Sequence, residues 1–280
     1  MAKVKIVTDS TVDMSEEELG KYGITMVPLS ITIDGETFLD KVEISPENFL
    51  GRMKNANELP KSSQPPAGKF VEVYEELAKD GSEIISIHMT GGMSGTVRSA
   101  ESAASMTDAK VTVFDSKFIS RALSFQVIEA AKMAASGKSS AEIVEKLVEI
   151  RRNSSLYIVI DTLENLIKGG RIGKAAGFIG SLLNIKPIAR LEDGVLNQSS
   201  KARSQSQVVK QLVKEFMDDT KGKEILGVGI AHANGPELAD KLKEAIMENS
   251  GFQKVDVVYT TPVVSTHAGP GAVGFMYYTK

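Results

Sequence analysis

The chain has 280 residues, 42% of them hydrophobic and 25% charged, enough for a sizeable core in one or two domains. Its formal net charge of −3 gives no general attraction to nucleic acid, and the lack of cysteine excludes disulfides, thiolate metal sites and a cysteine nucleophile. No run approaches the ~18 apolar residues of a membrane span, and the opening MAKVKIVTDST lacks the apolar stretch of a signal peptide, so a cytoplasmic protein is expected.

In chain order, KVKIVTDS (3–10) reads as a buried strand and MSEEELGKYG (14–23) as a short helix closed by glycine. MVPLSITIDGETFLD (26–40) reads as a hairpin turning at Asp34-Gly35. SPENFLGRMKN (45–55) is a helix with Ser45 as N-cap and Pro46 at its first position. In LPKSSQPPAG (59–68), two prolines fix the backbone beside Ser62 and Ser63, as a helix lead-in or as a rigid shelf for hydroxyls. A helix (68–81), a strand (82–89), a small-residue helix (93–106), a strand (110–116) and two longer helices (118–138, 139–153) follow. Repeated strand-to-helix order predicts a parallel sheet covered by helices.

The second half opens with the strand SLYIVIDT (155–162) and adds a hairpin around Asp193-Gly194. An amphipathic helix (204–220), a strand (224–232), a helix (235–251) and the strands VDVVYTTPV (255–263) and AVGFMYYT (272–279) complete it. The expected division is an N-terminal α/β domain over 1–153 and a C-terminal α/β domain over 154–280.

Ligands of open α/β sheets bind beyond the carboxyl ends of the strands. HMTGGMSGT (88–96) lies at such an end; its glycines free the backbone and Ser94-Gly95-Thr96 opens a helix whose amides attract anions. Ser94 is an anion donor, a helix cap, or both. GMSGT begins like a nucleophile elbow but has Thr96 where the final glycine belongs. KGGRIGKAA departs from a phosphate loop at Lys168 and Ala175, and no G-x-G-x-x-G follows the first strand. The loop's Lys168, Arg171 and Lys174 form either a solvated basic surface or an anion clamp with Arg171 as its fork.

The three histidines have no ligand-like spacing, so no metal site is expected. His88 and His232 read as structural. His267, in THAGPGAVG, sits in a tight turn whose glycines let a ligand approach the imidazole.

Together TDSTVD (8–13), SSQPP (62–66), MSGT (93–96), FDS (114–116), LENLIKGGRIGK (163–174), NIKPI (184–188) and THAGPGAVG (266–274) resemble the DegV family, in family order over essentially the whole chain. The resemblance implies a two-domain α/β fold, with a parallel-sheet N-terminal domain covered by helices on both faces and a mixed-sheet C-terminal domain. It implies a long-chain fatty acid such as palmitate in a deep apolar pocket. Its carboxylate would meet Ser62 and Ser94, with Ser63, His267 and Arg171 nearby and Gly95, Thr96 and Gly269 supporting. The family's loop commonly has threonine at the place of Ser62; serine keeps the hydroxyl and loses a methyl. The apolar runs at 118–128 and 178–183 are candidates for the sleeve.

The resemblance also implies a non-catalytic role: presenting the fatty acid to a separate ATP-dependent kinase subunit for acyl-phosphate formation, with no cofactor and at most transient membrane-surface contact. The alternative is an acyl hydrolase with Ser94 as nucleophile, His267 as base and Asp115 or Asp161 as orienter. A third reading is a dihydroxyacetone-kinase-like protein capturing a small ketone on His267.

Overall fold

The structure, a computed structural model, describes residues 3–178 and 185–280. The first half contains β1 (Val4–Asp9), α1 (Glu16–Tyr22), β2 (Ile24–Val27), β3 (Ser30–Ile33), β4 (Glu36–Leu39), α2 (Pro46–Asn55), β5 (Lys61–Ser63), α3 (Ala67–Ala78), β6 (Glu83–His88), α4 (Thr96–Ala104), β7 (Val111–Asp115), α5 (Ser120–Ala135) and α6 (Ser140–Arg152). The second contains β8 (Ser154–Val159), α7 (Glu164–Gly169), a 3-10 turn (Gly173–Phe178), β9 (Lys186–Glu192), β10 (Val195–Ala202), α8 (Gln205–Thr220), β11 (Ile225–His232), α9 (Pro236–Ser250), β12 (Val255–Tyr259), α10 (Pro262–Ala268) and β13 (Val273–Thr279).

The first sheet is all parallel, in the order β2-β1-β6-β7. Successive side chains of a strand point to opposite faces, and here both faces are apolar, as helix-covered parallel strands require. Val7 and Ile84 join Phe70 and Tyr74 of α3 and Ala100 and Ala103 of α4. Ile6, Ile85 and Ile87 face the other way, toward Ala122, Leu123 and Val127 of α5 and Ile143 and Leu147 of α6.

The second sheet is mixed, in the order β10-β9-β8-β13-β11-β12, with only β11 and β12 parallel. Tyr157, Val228, Ile230 and Phe275 pack beneath Leu212 and Phe216 of α8 and Leu242 and Ile246 of α9. The opposite face, with Leu156, Ile158, Ala231 and Met276, belongs to the same core as α5. Helix α5 therefore contacts β1 as well as β11 and β13, and joins the two sheets through one apolar layer.

A small antiparallel sheet, β4-β3-β5, carries the serines. Its register pairs Ile31 with Ser62 and Ser30 with Ser63. The two Asp-Gly hairpins form as the sequence predicts: Asp34 and Gly35 have φ of 48° and 83°, and Asp193 and Gly194 have 49° and 84°. Positive φ at both central residues is the requirement of the tight turn that matches strand twist.

Two short helices depart from the sequence expectation. The run at 255–263 stops being a strand at Tyr259, because Thr261 caps α10 by accepting from the Val264 amide and Pro262 occupies its first turn. His267 accordingly lies in the last turn of a helix, not in a tight turn before a strand, and Gly269 (φ 80°) closes that helix. The LENLIKGG segment likewise forms α7, ended by Gly170 in the left-handed region. Among the described residues, no helix is long and apolar enough to cross a membrane.

Candidate functional site

A cavity of about 320 Å³ lies beyond the carboxyl ends of the parallel strands and against the inner face of the mixed sheet. That volume falls within the ordinary range for small-molecule sites. Its polar wall is built from Ser62, Ser63, Gln64, Ser94, Arg171 and His267. Its apolar wall includes Leu29, Met89, Ile119, Ile158, Leu166 and Val263, all buried.

β5 and α10 meet at the polar wall, where Ser62 Oγ and His267 Nε2 are 2.7 Å apart. His267 Nδ1 has no hydrogen-bond partner among the described residues. Gly169 makes room for the ring: a Cβ there would come within 2.4 Å of Nδ1. Burial, and then the charge of Arg171, push His267 down to about 4, so the unliganded ring is neutral at pH 7.

Arg171 leaves the end of α7 and reaches across to the loop before α4. Its Nε donates to the Met93 carbonyl at 3.1 Å and its Nη1 to the Gly169 carbonyl at 2.6 Å. Neither acceptor is an acid, and no carboxylate belongs to the described lining of the cavity. Of the three cations in this loop, Arg171 alone faces the cavity; Lys168 pairs with Glu164 at 2.5 Å and Lys174 is exposed.

Ser94 stands before α4. Its Oγ accepts from the Thr96 amide at 3.2 Å and lies 2.8 Å from the Thr96 hydroxyl. It lies one residue before the N-cap, Gly95, which has no side-chain cap bond, so Ser94 braces the turn into α4 without capping it, and it lines the cavity. Gly95 and Thr96 do not line the cavity. Gly95 lies under Gln64, whose amide oxygen would be 2.2 Å from an added Cβ, and Gln64 Nε2 donates to Ser99 Oγ at 2.9 Å. Gln64 therefore locks the serine shelf onto α4. It stands in the SSQPP motif, and its adjacency to Ser62 and Ser63 is the signal that marks it.

The pose of α10 is set at its other end by two buried acids. Asp13 accepts from the Thr261 amide at 3.1 Å and the Thr260 hydroxyl at 3.3 Å, and also bonds Ser120. Asp40 accepts from the Val263 amide at 3.3 Å and the Ser10 hydroxyl at 2.6 Å. Acceptors at a helix N-terminus satisfy otherwise unpaired amides. Burial pushes Asp40 up to about 7 against the opposing hydrogen bonds from Ser10 and Val263, and burial likewise raises Asp13. Asn165 of α7 donates to the Thr266 carbonyl at 2.9 Å and ties the two short helices together. Composition and periodicity single out none of these clamps.

The hydrolase arrangement does not form. His267 bonds Ser62 instead of Ser94, and its second nitrogen lacks the carboxylate that would orient a general base. Asp115 pairs with Lys117 and Asp161 with Lys186. His88 and His232 lie outside the cavity lining, and no group of residues that could hold a metal ion occurs among the described residues. Of the apolar runs expected to supply a sleeve, the first contributes Ile119; residues 179–183 of the second lie outside the described residues, as does Asn184 of the NIKPI motif.

A polar wall of hydroxyls, a neutral imidazole and one guanidinium with no acid partner among the described residues suits an anion, and the apolar remainder suits a hydrocarbon. Comparison with known proteins adds the kinship. The family model described as "Uncharacterised protein, DegV family" matches residues 3–280. A DegV domain-containing protein of Listeria monocytogenes is 46% identical over 280 residues, the full length of both chains. A Staphylococcus aureus counterpart is likewise 46% identical over its full length. Among solved structures, a fatty-acid-binding DegV family protein of Thermus thermophilus matches with a TM-score of 0.94 at 30% identity, covering 99% of this chain and 100% of its own. DegV of Bacillus subtilis, a fatty acid binding protein, matches at 0.90 and 34% identity over the whole of both chains. A Eubacterium eligens member loaded with heptadecanoic acid matches at 0.84 and 26% identity, covering 99% of this chain and 100% of that one. The chain belongs to the DegV family.

Proposed function

We propose that the protein binds one long-chain fatty acid such as palmitate, its carboxylate among Ser62, Ser94, His267 and Arg171 with Ser63 at the rim and its tail along the apolar wall. The observation that carries this reading is Arg171, without an acid partner among the described residues, at the polar end of an otherwise apolar cavity. Relatives of the same fold that bind fatty acids support it. A tail of ~14 methylenes offers roughly 11 kcal/mol of gross transfer free energy at ~0.8 kcal/mol each. Ordering the tail and losing translational freedom offset much of that, so the head-group contacts weigh in affinity as well as in orientation.

The His267–Ser62 pair suits this use. With its proton on Nε2, His267 donates to Ser62 Oγ and frees the Ser62 hydroxyl to donate to a carboxylate. An anion beside the ring also favours its protonation. In the same reading the protein has no chemistry of its own and needs no cofactor. It works in the cytoplasm, presenting the head group to a separate ATP-dependent kinase subunit that makes the acyl-phosphate. Gly95, Thr96 and Gly269 serve by shaping the two helix ends that carry Ser94 and His267.

Denaturing mass spectrometry of the purified protein tests the binding role. The expected result is a co-purified fatty acid of roughly 14–20 carbons, a chain long enough for the transfer term above. A lipid-free protein that also takes up no added palmitate would sink the reading.

A further inference from the structure

Behind the cavity lies a second, smaller chamber of about 30 Å³. The two share Ile119, Ile158, Val264 and Ala268, so these four side chains form the partition between them. The chamber is built by missing side chains in the middle of the mixed sheet. Gly274 of β13 pairs with Ile158 of β8 on one side and with Ala231 of β11 on the other, and all three line it. A residue without a side chain at the centre of a six-stranded sheet weakens the strand and leaves a hole unless something fills it.

Backbone geometry does not call for glycine there. Gly269 and Gly271 have φ of 80° and 81°, whereas Gly274 is not among the residues with positive φ. A Cβ on Gly274 would meet only Met276 Cε at 3.2 Å and the Ala231 carbonyl at 3.7 Å, so a methyl fits if the flexible end of Met276 yields slightly. The space is also unsuited to water. Its two hydroxyl-bearing linings, Ser120 and Thr260, both direct their hydroxyls to Asp13, and a buried water needs two or more polar partners.

We propose that this chamber measures acyl-chain length: it receives the terminal methyl end of the longest chains, with Gly274 leaving the space and Met276 forming its adjustable floor. The inference rests on the fatty-acid reading above and adds to it the residues that set chain preference. Shorter chains end before the partition and make no use of the chamber. The longest chains pass between Ile119, Ile158 and Val264 and gain the contacts of its walls.

The test offers wild-type protein, Gly274→Ala, Gly274→Val and Met276→Ala an equimolar mixture of saturated fatty acids from lauric to arachidic, and reads the bound profile by denaturing mass spectrometry. One methylene gained or lost in an apolar pocket changes binding by at least about tenfold. Gly274→Val should therefore lower the occupancy ratio of stearate to laurate by about that factor, with laurate affinity kept. Gly274→Ala should shift the ratio the same way by less, and Met276→Ala should shift it the other way. If Gly274→Val fails to fold, the opposite signs of Gly274→Ala and Met276→Ala still decide. Variants that bind fatty acid with the wild-type profile overturn the ruler and leave the carrier reading standing. Failure of every protein, wild type included, to bind any chain overturns the carrier reading itself.

Discussion

Two histidines in this molecule have opposite surroundings. His88 is fully buried at the end of β6, with both nitrogens engaged: Nε2 is 2.7 Å from Ser86 Oγ and Nδ1 is 3.1 Å from Asp9 Oδ2. Tyr74 donates to the same serine at 2.8 Å, and Phe70 stands edge-on at 5.0 Å. Among the described residues, His267 has one engaged nitrogen, no acid partner, and a guanidinium as its charged neighbour. A histidine whose network is closed by a carboxylate stabilises the fold. One left with a cation and an open cavity is arranged for an anion that the fold itself does not supply.

The comparison can be broken most forcefully at His88. Asp9 accepts from the Met89 amide and from the Thr11 amide and hydroxyl as well as from His88. Asp9→Ala should therefore cost about 3–5 kcal/mol, the usual loss when one member of a buried charged network is removed, read as a lower denaturant midpoint. Burial opposes ionisation of Asp9, but the hydrogen bond and attraction from His88, with Thr11 and Met89, hold it below the ordinary carboxylate value. A lowered carboxylate stabilises above its unfolded value of about 3.8 and loses that contribution as pH falls through the folded one. The gap between wild type and variant should then narrow on acidification. Equal stability at neutral pH would mean that the His88 network carries no weight.

The next effect belongs to the cavity. Ser62→Ala, Ser94→Ala and Arg171→Ala should each weaken palmitate binding by about 1.5–3 kcal/mol, the value of a hydrogen bond to a charged group. Ser63→Ala should change it by much less, because Ser63 is exposed at the rim. Isothermal titration distinguishes these cases. A larger loss at Ser63 than at Ser62 would mean that the head group sits elsewhere.

A smaller effect is the pH dependence of His267. Without ligand it titrates near 4. A carboxylate within a few ångströms raises a neighbouring base by about 1–3 units, so binding takes up a proton between about pH 4 and about 7. The affinity contributed by that proton is greatest at the acid end and is lost as pH rises through the liganded value. His267→Gln should remove this slope relative to wild type. Equal slopes in the two proteins would exclude His267 from the head group.

Much of this architecture is legible in the chain. The buried runs of β1 and β6, the Asp-Gly turns and the capped helices each carry a local signal in residue type and spacing, whereas β7 reads as a buried strand but lies at the sheet edge with Phe114 alone buried. Helix α10 is not legible in that way, because the β-branched run from Val255 continues into Thr260 and Thr261 and only Pro262 marks the change. The site is legible as separate hydroxyl, glycine and basic motifs, and the family resemblance gathers them. The pairing of Ser62 with His267 spans 205 residues and has no local signature. The same holds for the Asp13 and Asp40 clamps on α10, which depend on how β1, β4 and α10 come together in space.

The central claim is that one end of the cavity recognises a carboxylate and the other a hydrocarbon. Parallel titrations of the wild-type protein with palmitate and with hexadecanol, which share a tail and differ in the head, test it most directly. Palmitate should bind at least about tenfold more tightly, the equivalent of about 1.4 kcal/mol and the minimum expected from one charge-assisted hydrogen bond. Equal affinity for the two ligands would contradict the assignment of Arg171, His267, Ser62 and Ser94 as the carboxylate end.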